Sequence, residues 1–295
     1  MLSTANAKFA ALVVLMLGLH IAATNLSKTE SADVKSLVEK KLAITPDEPV
    51  NALLVGGSGV HYGLSAAILS EKTPFQFLNL GLIVEGNGWE NYMSFLRSLP
   101  MIAHDEIELV IYSSVDIYAL EESDEFTLTG ARRGMLVFDK RSWLQKVVTS
   151  NEPHYGPRGV DRTDIVRETG DMIFPDGVCD FYWPAGEMPA PGDNLDEIAA
   201  RAKHLQRLYP NAEVFIRPWH LSEHIGPDVE YVYGTFENGL RARGVKVLRP
   251  PEPIYDADWA CDAPFHPNAI GRDMLSLQEA ETVMMALSSQ SAQND

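Results

Sequence analysis

The sequence has 295 residues, of which 45% are hydrophobic, so it can bury a substantial core as one large domain or as one domain with an insertion. Its 41 acidic and 24 basic residues give a formal net charge of −17, and no basic run is long enough to follow a phosphate backbone. We therefore expect no nucleic-acid partner.

The first 25 residues are typical of a targeting segment. Lys8 precedes an apolar run, 9–23, that is interrupted only by His20 and is followed by polar residues. The run is shorter than the roughly 20 residues of a full membrane span and fits a signal-peptide core. A short uncleaved anchor in the inner membrane is the alternative, because Ile21 stands where a cleavage site needs a small residue. Both alternatives predict export to the periplasm or another extracytoplasmic space, with residues 26–295 forming a single domain.

Short apolar segments alternate with amphipathic ones through most of the remaining chain, which predicts an α/β fold with a parallel sheet covered by helices on both faces. The predicted strands are 52–55, 75–80, 109–113, 214–217 and 245–248, and the predicted helices are 32–42, 64–72, 89–99, 195–209, 229–243 and 270–285. The pattern breaks down over 121–191, which is charged and rich in proline and glycine. We predict an irregular insertion over the sheet there, which could act as a lid.

A glycine-rich turn follows the first predicted strand, in "LLVGGSGVHYGLSA" at 53–66. A phosphate-binding loop would need a Lys-Ser or Lys-Thr pair where His61 and Tyr62 stand, and a nucleophile elbow would need glycine where Val60 stands. One remaining interpretation is a strand-to-helix turn with serine as the helix N-cap. The other is that Ser58 is a nucleophile at the carboxyl end of a buried strand, where parallel α/β sheets place their chemistry.

A second informative segment is "CDAPFHPNAIGRDML" at 261–275, where Asp262 and His266 flank a short turn and a helix begins around Ile270. A histidine that serves as general base to a serine needs a carboxylate to hold its tautomer, and Asp262 is the nearest candidate. The alternative is a loop histidine and a carboxylate with no joint role.

The segments together resemble the three sequence blocks of the SGNH (GDSL-type) hydrolase superfamily, in the same order. "VGGSGVHYGLSA" resembles the first block with Ser58 as nucleophile, "FLNLGLIVEGNGWENY" the second with Gly81 as oxyanion donor, and "DAPFHPNAIGR" the last with Asp262 and His266. The resemblance implies a flavodoxin-like three-layer α/β/α fold. It also implies acyl transfer in which His266 takes the proton of Ser58 while the backbone amides of Ser58 and Gly81 hold the oxyanion.

Two positions depart from the superfamily pattern. "SSVD" puts Val115 where the third block has an asparagine that donates to the oxyanion, and the last block is one residue longer than D-x-x-H. Losing such a donor costs about 3 to 4 kcal/mol where it has been deleted in other enzymes. Asn87 or Asn91 could replace the missing donor, or catalysis could be weak or lost.

Within the superfamily, the chain most resembles bacterial exopolysaccharide O-acetyltransferases of the alginate-acetylation type. This implies a polysaccharide or acetyl-ester substrate, an acetyl-donor membrane protein as partner, and no cofactor. Water as acceptor would make the chain an esterase, and a sugar hydroxyl would make it a transferase. The alternative function is a catalytically silent SGNH-fold protein that binds glycan or assembles a secretion complex.

The sequence holds two cysteines, Cys179 and Cys261, too far apart for a metal or redox motif. In an oxidising compartment they could form a disulfide, and the alternative is two separate buried thiols. We expect no metal site, because the remaining histidines show no ligand spacing. We interpret His220 and His224 as a solvated pair.

Overall fold

The computed structural model describes residues 36–82, 89–113, 163–174, 195–218, 220–222, 229–252, 254–263 and 266–294. The strands are β1 Ala52–Gly56, β2 Phe77–Asn79, β3 Leu109–Ser113, β4 Glu213–Ile216, β5 Leu221–Ser222, β6 Lys246–Val247, β7 Ile254–Tyr255, β8 Ala260–Ala263 and β9 His266–Pro267. The helices are α1 at 36–42, α2 Ser58–Gly63, α3 Ala66–Lys72, α4 Trp89–Arg97, α5 Leu195–Leu208, α6 Val229–Arg241 and α7 Ala269–Asn294.

Among the described residues, five strands form a parallel sheet in the order β2-β1-β3-β4-β6, which is the flavodoxin-like arrangement. In its centre, β1 and β3 pair along their whole length, from Ala52 opposite Leu109 to Gly56 opposite Ser113. The carboxyl ends of β1 and β3 therefore lie side by side. The predicted α/β fold class is confirmed.

Helices cover both faces of this sheet. Because successive side chains of a strand point to opposite faces, one strand contributes to two cores. Leu53 and Val55 of β1 belong to a core shared with α1, α4, α5 and α6. Ala52 and Leu54 belong to a second core, to which α3 and α7 contribute. The strand β1 is thus apolar on both sides, which explains its continuous apolar sequence.

Part of the predicted insertion forms a small hairpin at 163–174, with a bridge between Ile165 and Met172. It lies against the edge strand β2, where the Asn79 amide donates to the Thr169 carbonyl at 2.8 Å. On its other side, Arg272 of α7 donates to the Met172 carbonyl at 2.7 Å. The 163–174 hairpin therefore joins the edge of the sheet to the C-terminal helix.

The last part of the chain forms the antiparallel β8–β9 pair and then α7. Asn268 begins this helix, since its side-chain oxygen accepts from the Gly271 amide at 2.9 Å. None of the described helices is long and apolar enough to cross a membrane, and the predicted targeting segment lies outside the described residues.

Candidate functional site

The glycine that the turn after β1 requires is Gly56. Its φ is +147°, and a Cβ added there would lie 1.8 Å from the Ser113 carbonyl oxygen at the end of β3. The Gly56 amide donates to the Tyr92 hydroxyl at 2.8 Å, and the Gly57 amide donates to the same Ser113 carbonyl at 3.2 Å. These contacts fix the backbone just before Ser58.

Ser58 is the first residue of α2, and the N-cap of that helix is Gly57, whose carbonyl accepts from the amides of Val60 and His61. The interpretation of this serine as the N-cap of the helix is therefore wrong. Ser58 lies at the carboxyl edge of the sheet and is 7% exposed. Its amide is in the first turn of the helix, where the N–H groups have no carbonyl partner within the helix.

The structure packs the strand that carries His266 against the helix that carries Ser58. The His266 ring lies on the Tyr62 ring, with centroids 4.4 Å apart and planes inclined by 32°. Tyr62 is four residues after Ser58, so both share one face of α2 and are separated by about 6 Å along its axis. The Pro267 ring also contacts α2, 3.8 Å from a Cβ placed on Gly63.

Gly81, predicted as an oxyanion donor, also lies against α2. A Cβ added to it would be 2.5 Å from the His61 amide nitrogen, so only glycine fits there. Its own amide donates to Asn79 Oδ1 at 3.0 Å. Because this N–H group is already used inside the protein, the predicted oxyanion role of Gly81 is not supported.

The other predicted site residues are described only in part. Asp262 lies in β8, and β8 pairs with β9, the strand that contains His266. Asn91 lies in α4, whereas Asn87 and Val115 lie outside the described residues.

Cys261 is disulfide-bonded. Cys179, the other cysteine of the sequence, lies outside the described residues, so the pairing of these two stays a prediction.

A buried lysine next to α2 was missed, because a lysine in a short amphipathic helix is typical of a solvent-facing position. The Lys41 ammonium donates to the carbonyl oxygens of Asn79 at 2.7 Å and Gly170 at 2.6 Å, and to Asn79 Oδ1 at 3.4 Å. Burial lowers the pKa of Lys41 to about 7, while the nearby Asp171 carboxylate acts in the opposite direction.

A buried charged cluster lies beyond β4 and was also missed. Arg217 donates to Glu279 Oε2 of α7 at 2.6 Å and is hydrogen-bonded to His220 Nδ1. All three side chains are at most 4% exposed, so the prediction that His220 is solvated is wrong. Burial and the Arg217 guanidinium hold the pKa of His220 well below its usual range. Burial raises the pKa of Glu279, which Arg217 opposes.

Among the described residues, no cluster of histidine, cysteine, aspartate or glutamate has a metal-binding arrangement. What the structure brings together is a serine at the carboxyl edge of the sheet, the first turn of a helix and a histidine packed on that helix. These are the groups that nucleophilic acyl transfer uses.

No protein-family model and no curated protein matches the chain. Among solved structures, it is similar to a family two carbohydrate esterase from Clostridium thermocellum, with 10% identity, 83% of this chain and 67% of that chain covered, and a TM-score of 0.41. It is also similar to an acetyl xylan esterase from the rumen bacterium Butyrivibrio proteoclasticus, with 11% identity, 83% and 66% covered, and a TM-score of 0.39. Similarity at this level carries no argument about activity.

Proposed function

We propose that the chain is an exported, serine-dependent esterase or acyltransferase that acts on O-acetyl groups of a secreted polysaccharide. The observation that supports it best is that His266 packs on Tyr62, on the same face of α2 as Ser58. The polysaccharide, the export and the acetyl-donor membrane partner rest on the sequence, through the resemblance to SGNH O-acetyltransferases and the apolar run at 9–23.

In the proposed reaction, the Ser58 hydroxyl oxygen attacks the acetyl carbonyl while its proton passes to His266. The resulting oxyanion lies at the first turn of α2, where the Ser58 amide can donate to it. The ester bond to the first sugar then breaks, and its oxygen takes the proton from His266. Water or a sugar hydroxyl next attacks the acetyl-serine while His266 accepts its proton. The bond between the acetyl carbon and the Ser58 oxygen then breaks, and His266 returns the proton to that oxygen. Asp262 orients the imidazole.

The second candidate is a catalytically silent protein that binds glycan or assembles a secretion complex. Two observations favour it: the Gly81 amide already donates to Asn79, and Val115 replaces an expected donor. Both reduce the number of groups that could hold an oxyanion.

Fluorophosphonate labelling together with hydrolysis of an activated acetyl ester distinguishes the two candidates. The wild type should be labelled and active, and Ser58→Ala should lose both the labelling and the activity. This substitution should lower the free energy of unfolding by about 1 kcal/mol or less, because the Ser58 side chain is not the helix cap. His266→Ala should be nearly as damaging as Ser58→Ala, since residues that act as a unit fail together. Asp262→Ala should leave more residual activity.

Ser94→Ala is the matched control, because it removes an exposed serine of α4. The probe should label this variant as fast as it labels the wild type. If the wild type is neither labelled nor active while Ser58→Ala is equally well folded, the proposal of an enzyme is wrong and the proposal of a binding protein takes its place.

A further inference from the structure

The side chain of Asn79 is a buried junction between α1, β2 and the helix that carries Ser58. Its Nδ2 group donates to the carbonyl of Val60, within α2, at 3.2 Å and to that of Leu64, just after α2, at 2.9 Å. Its Oδ1 atom accepts from the Gly81 amide at 3.0 Å and from Lys41 at 3.4 Å. Every polar atom of this amide therefore has a partner.

Lys41 holds this junction in place. Its ammonium group binds the backbone oxygen and the side-chain oxygen of Asn79, and its third contact, to Gly170, ties both to the 163–174 hairpin. The three partners are all acceptors, and an ammonium group has three N–H donors. Lys41 and Asn79 are both 0% exposed, so water does not compete for these bonds.

We propose that Lys41, acting through Asn79, is a positioning residue that holds the helix α2 and thereby sets the reactivity of Ser58. The inference rests on the function proposed for Ser58. Among the described residues, the hydrogen bonds of Lys41 are to Asn79 and Gly170, so Lys41 acts on α2 through the Asn79 side chain and the Val60 and Leu64 carbonyls that this side chain binds.

The protonation of Lys41 gives this role a pH dependence. Burial lowers the pKa of Lys41 to about 7, and a neutral amine has only two N–H donors for three acceptors. The charged group that acts on Lys41 is Asp171 of the hairpin. The titratable side chains of α2 are His61 and Tyr62. The hold on Asn79 should therefore weaken as the pH rises through about 7.

Lys41→Met keeps an unbranched side chain, one heavy atom shorter than lysine, and removes its donors. Lys40→Met is the matched control, because Lys40 is the preceding residue of the same helix and pairs with the half-exposed Asp164 instead. The measurement is the rate of fluorophosphonate labelling of Ser58 between pH 6 and 9. Dividing the wild-type rate by that of each variant cancels any pH dependence that the two proteins share.

At pH 6 we expect the wild type to be labelled about ten times faster than Lys41→Met, because small misplacements of reacting groups lower a rate by one to two orders of magnitude. The ratio should shrink as the pH rises through about 7. For Lys40→Met it should stay near one throughout. A ratio of one at pH 6, or a ratio that does not change with pH, overturns the proposal, since a purely structural role of Lys41 would give a constant ratio.

Hydrogen exchange of the wild type tests the same inference without labelling or a variant. After correction for intrinsic exchange rates, protection of α2 relative to α5 should fall between pH 6 and 8.5. Constant relative protection overturns the inference. If the wild type is not labelled at any pH, the function proposed for Ser58 fails, while the exchange of α2 still decides whether Lys41 holds the helix.

Discussion

At the scale of single residues, the turn before Ser58 depends on the backbone of Gly56. The approach of β1 to β3 leaves no room for a Cβ between Gly56 and the Ser113 carbonyl, and the positive φ disfavours any L-residue. A close contact and an unfavourable conformation act together at one position, so substitution there should be far more costly than at an ordinary turn glycine.

Gly56→Ala should therefore lower the free energy of unfolding by at least about 3 kcal/mol, measured by urea denaturation. Gly234→Ala is the control, because Gly234 lies in α6 with no atom within 4 Å of an added Cβ. That substitution should raise stability by roughly 0.5 to 1 kcal/mol, since alanine is the better helix former. Equal effects of the two substitutions would contradict this account of the turn.

The resemblance of short segments to a known superfamily predicted Ser58 and His266 as site residues, but the buried charged residues elsewhere in the fold could not be predicted in this way. Lys41 binds groups 38 and 129 residues away, and Arg217 binds Glu279 across 62 residues. A lysine or glutamate in an amphipathic helix normally faces solvent. The burial of these charges depends on tertiary contacts, which the local pattern of apolar and polar residues does not predict.

At the scale of elements, the central strands were predicted to within a residue, because β1 and β3 are continuous apolar runs buried on both faces. The helix α2 was missed, since its glycines indicated only a turn before a helix at 64–72. The 163–174 hairpin was missed as well. It is held by contacts to distant residues and carries no strand-like alternation of its own.

Asp171 ties this hairpin to α3. Its carboxylate accepts from the Ala66 amide at 2.6 Å, and from the Ala67 amide and the Ser65 hydroxyl at 3.0 Å each. The carboxylate lies at the N-terminus of a helix, where a negative charge is favourable. At 3% exposure, these bonds are protected from water.

Asp171→Ala should cost about 3 kcal/mol of unfolding free energy, because it removes several charge-assisted bonds from buried donors. Asp164→Ala is the control on the same hairpin, since its ion pair with Lys40 has side-chain exposures of 56% and 33%. That loss should be below about 1 kcal/mol. Urea unfolding at pH 7 measures both. A cost for Asp171→Ala no greater than that of the control would show that the hairpin is not anchored through this carboxylate.

At the scale of the whole molecule, the candidate site joins segments from the two ends of the described chain. Ser58 lies just after the first strand, and His266 lies in β9, three residues before the last helix begins at Ala269. The C-terminal helix α7 packs on the same face of the sheet as α3, through Ala280 and Val283. One turn of α7 also carries Glu279, which reaches the end of β4 through Arg217. The position of His266 relative to Ser58 therefore depends on how α7 is held on the sheet.

The ion pair between Arg217 and Glu279 should contribute to this hold in a way that depends on both partners. Arg217→Met or Glu279→Leu alone should lower the free energy of unfolding by about 3 to 5 kcal/mol, because each leaves an uncompensated buried charge. The double variant should recover most of this loss, since two apolar side chains can replace a buried pair at little cost. About 1 kcal/mol should remain lost, because His220 Nδ1 no longer has the Arg217 donor.

A double-mutant cycle measured by urea unfolding at pH 7 gives the coupling between the two side chains. The pair of Arg243 and Asp196 is the control cycle, since its side chains are 34% and 86% exposed and should couple by less than about 1 kcal/mol. If the double variant were as unstable as the sum of the single ones, the pair would not act as a unit. In that case replacing both buried charges would not restore the stability that each single substitution removes.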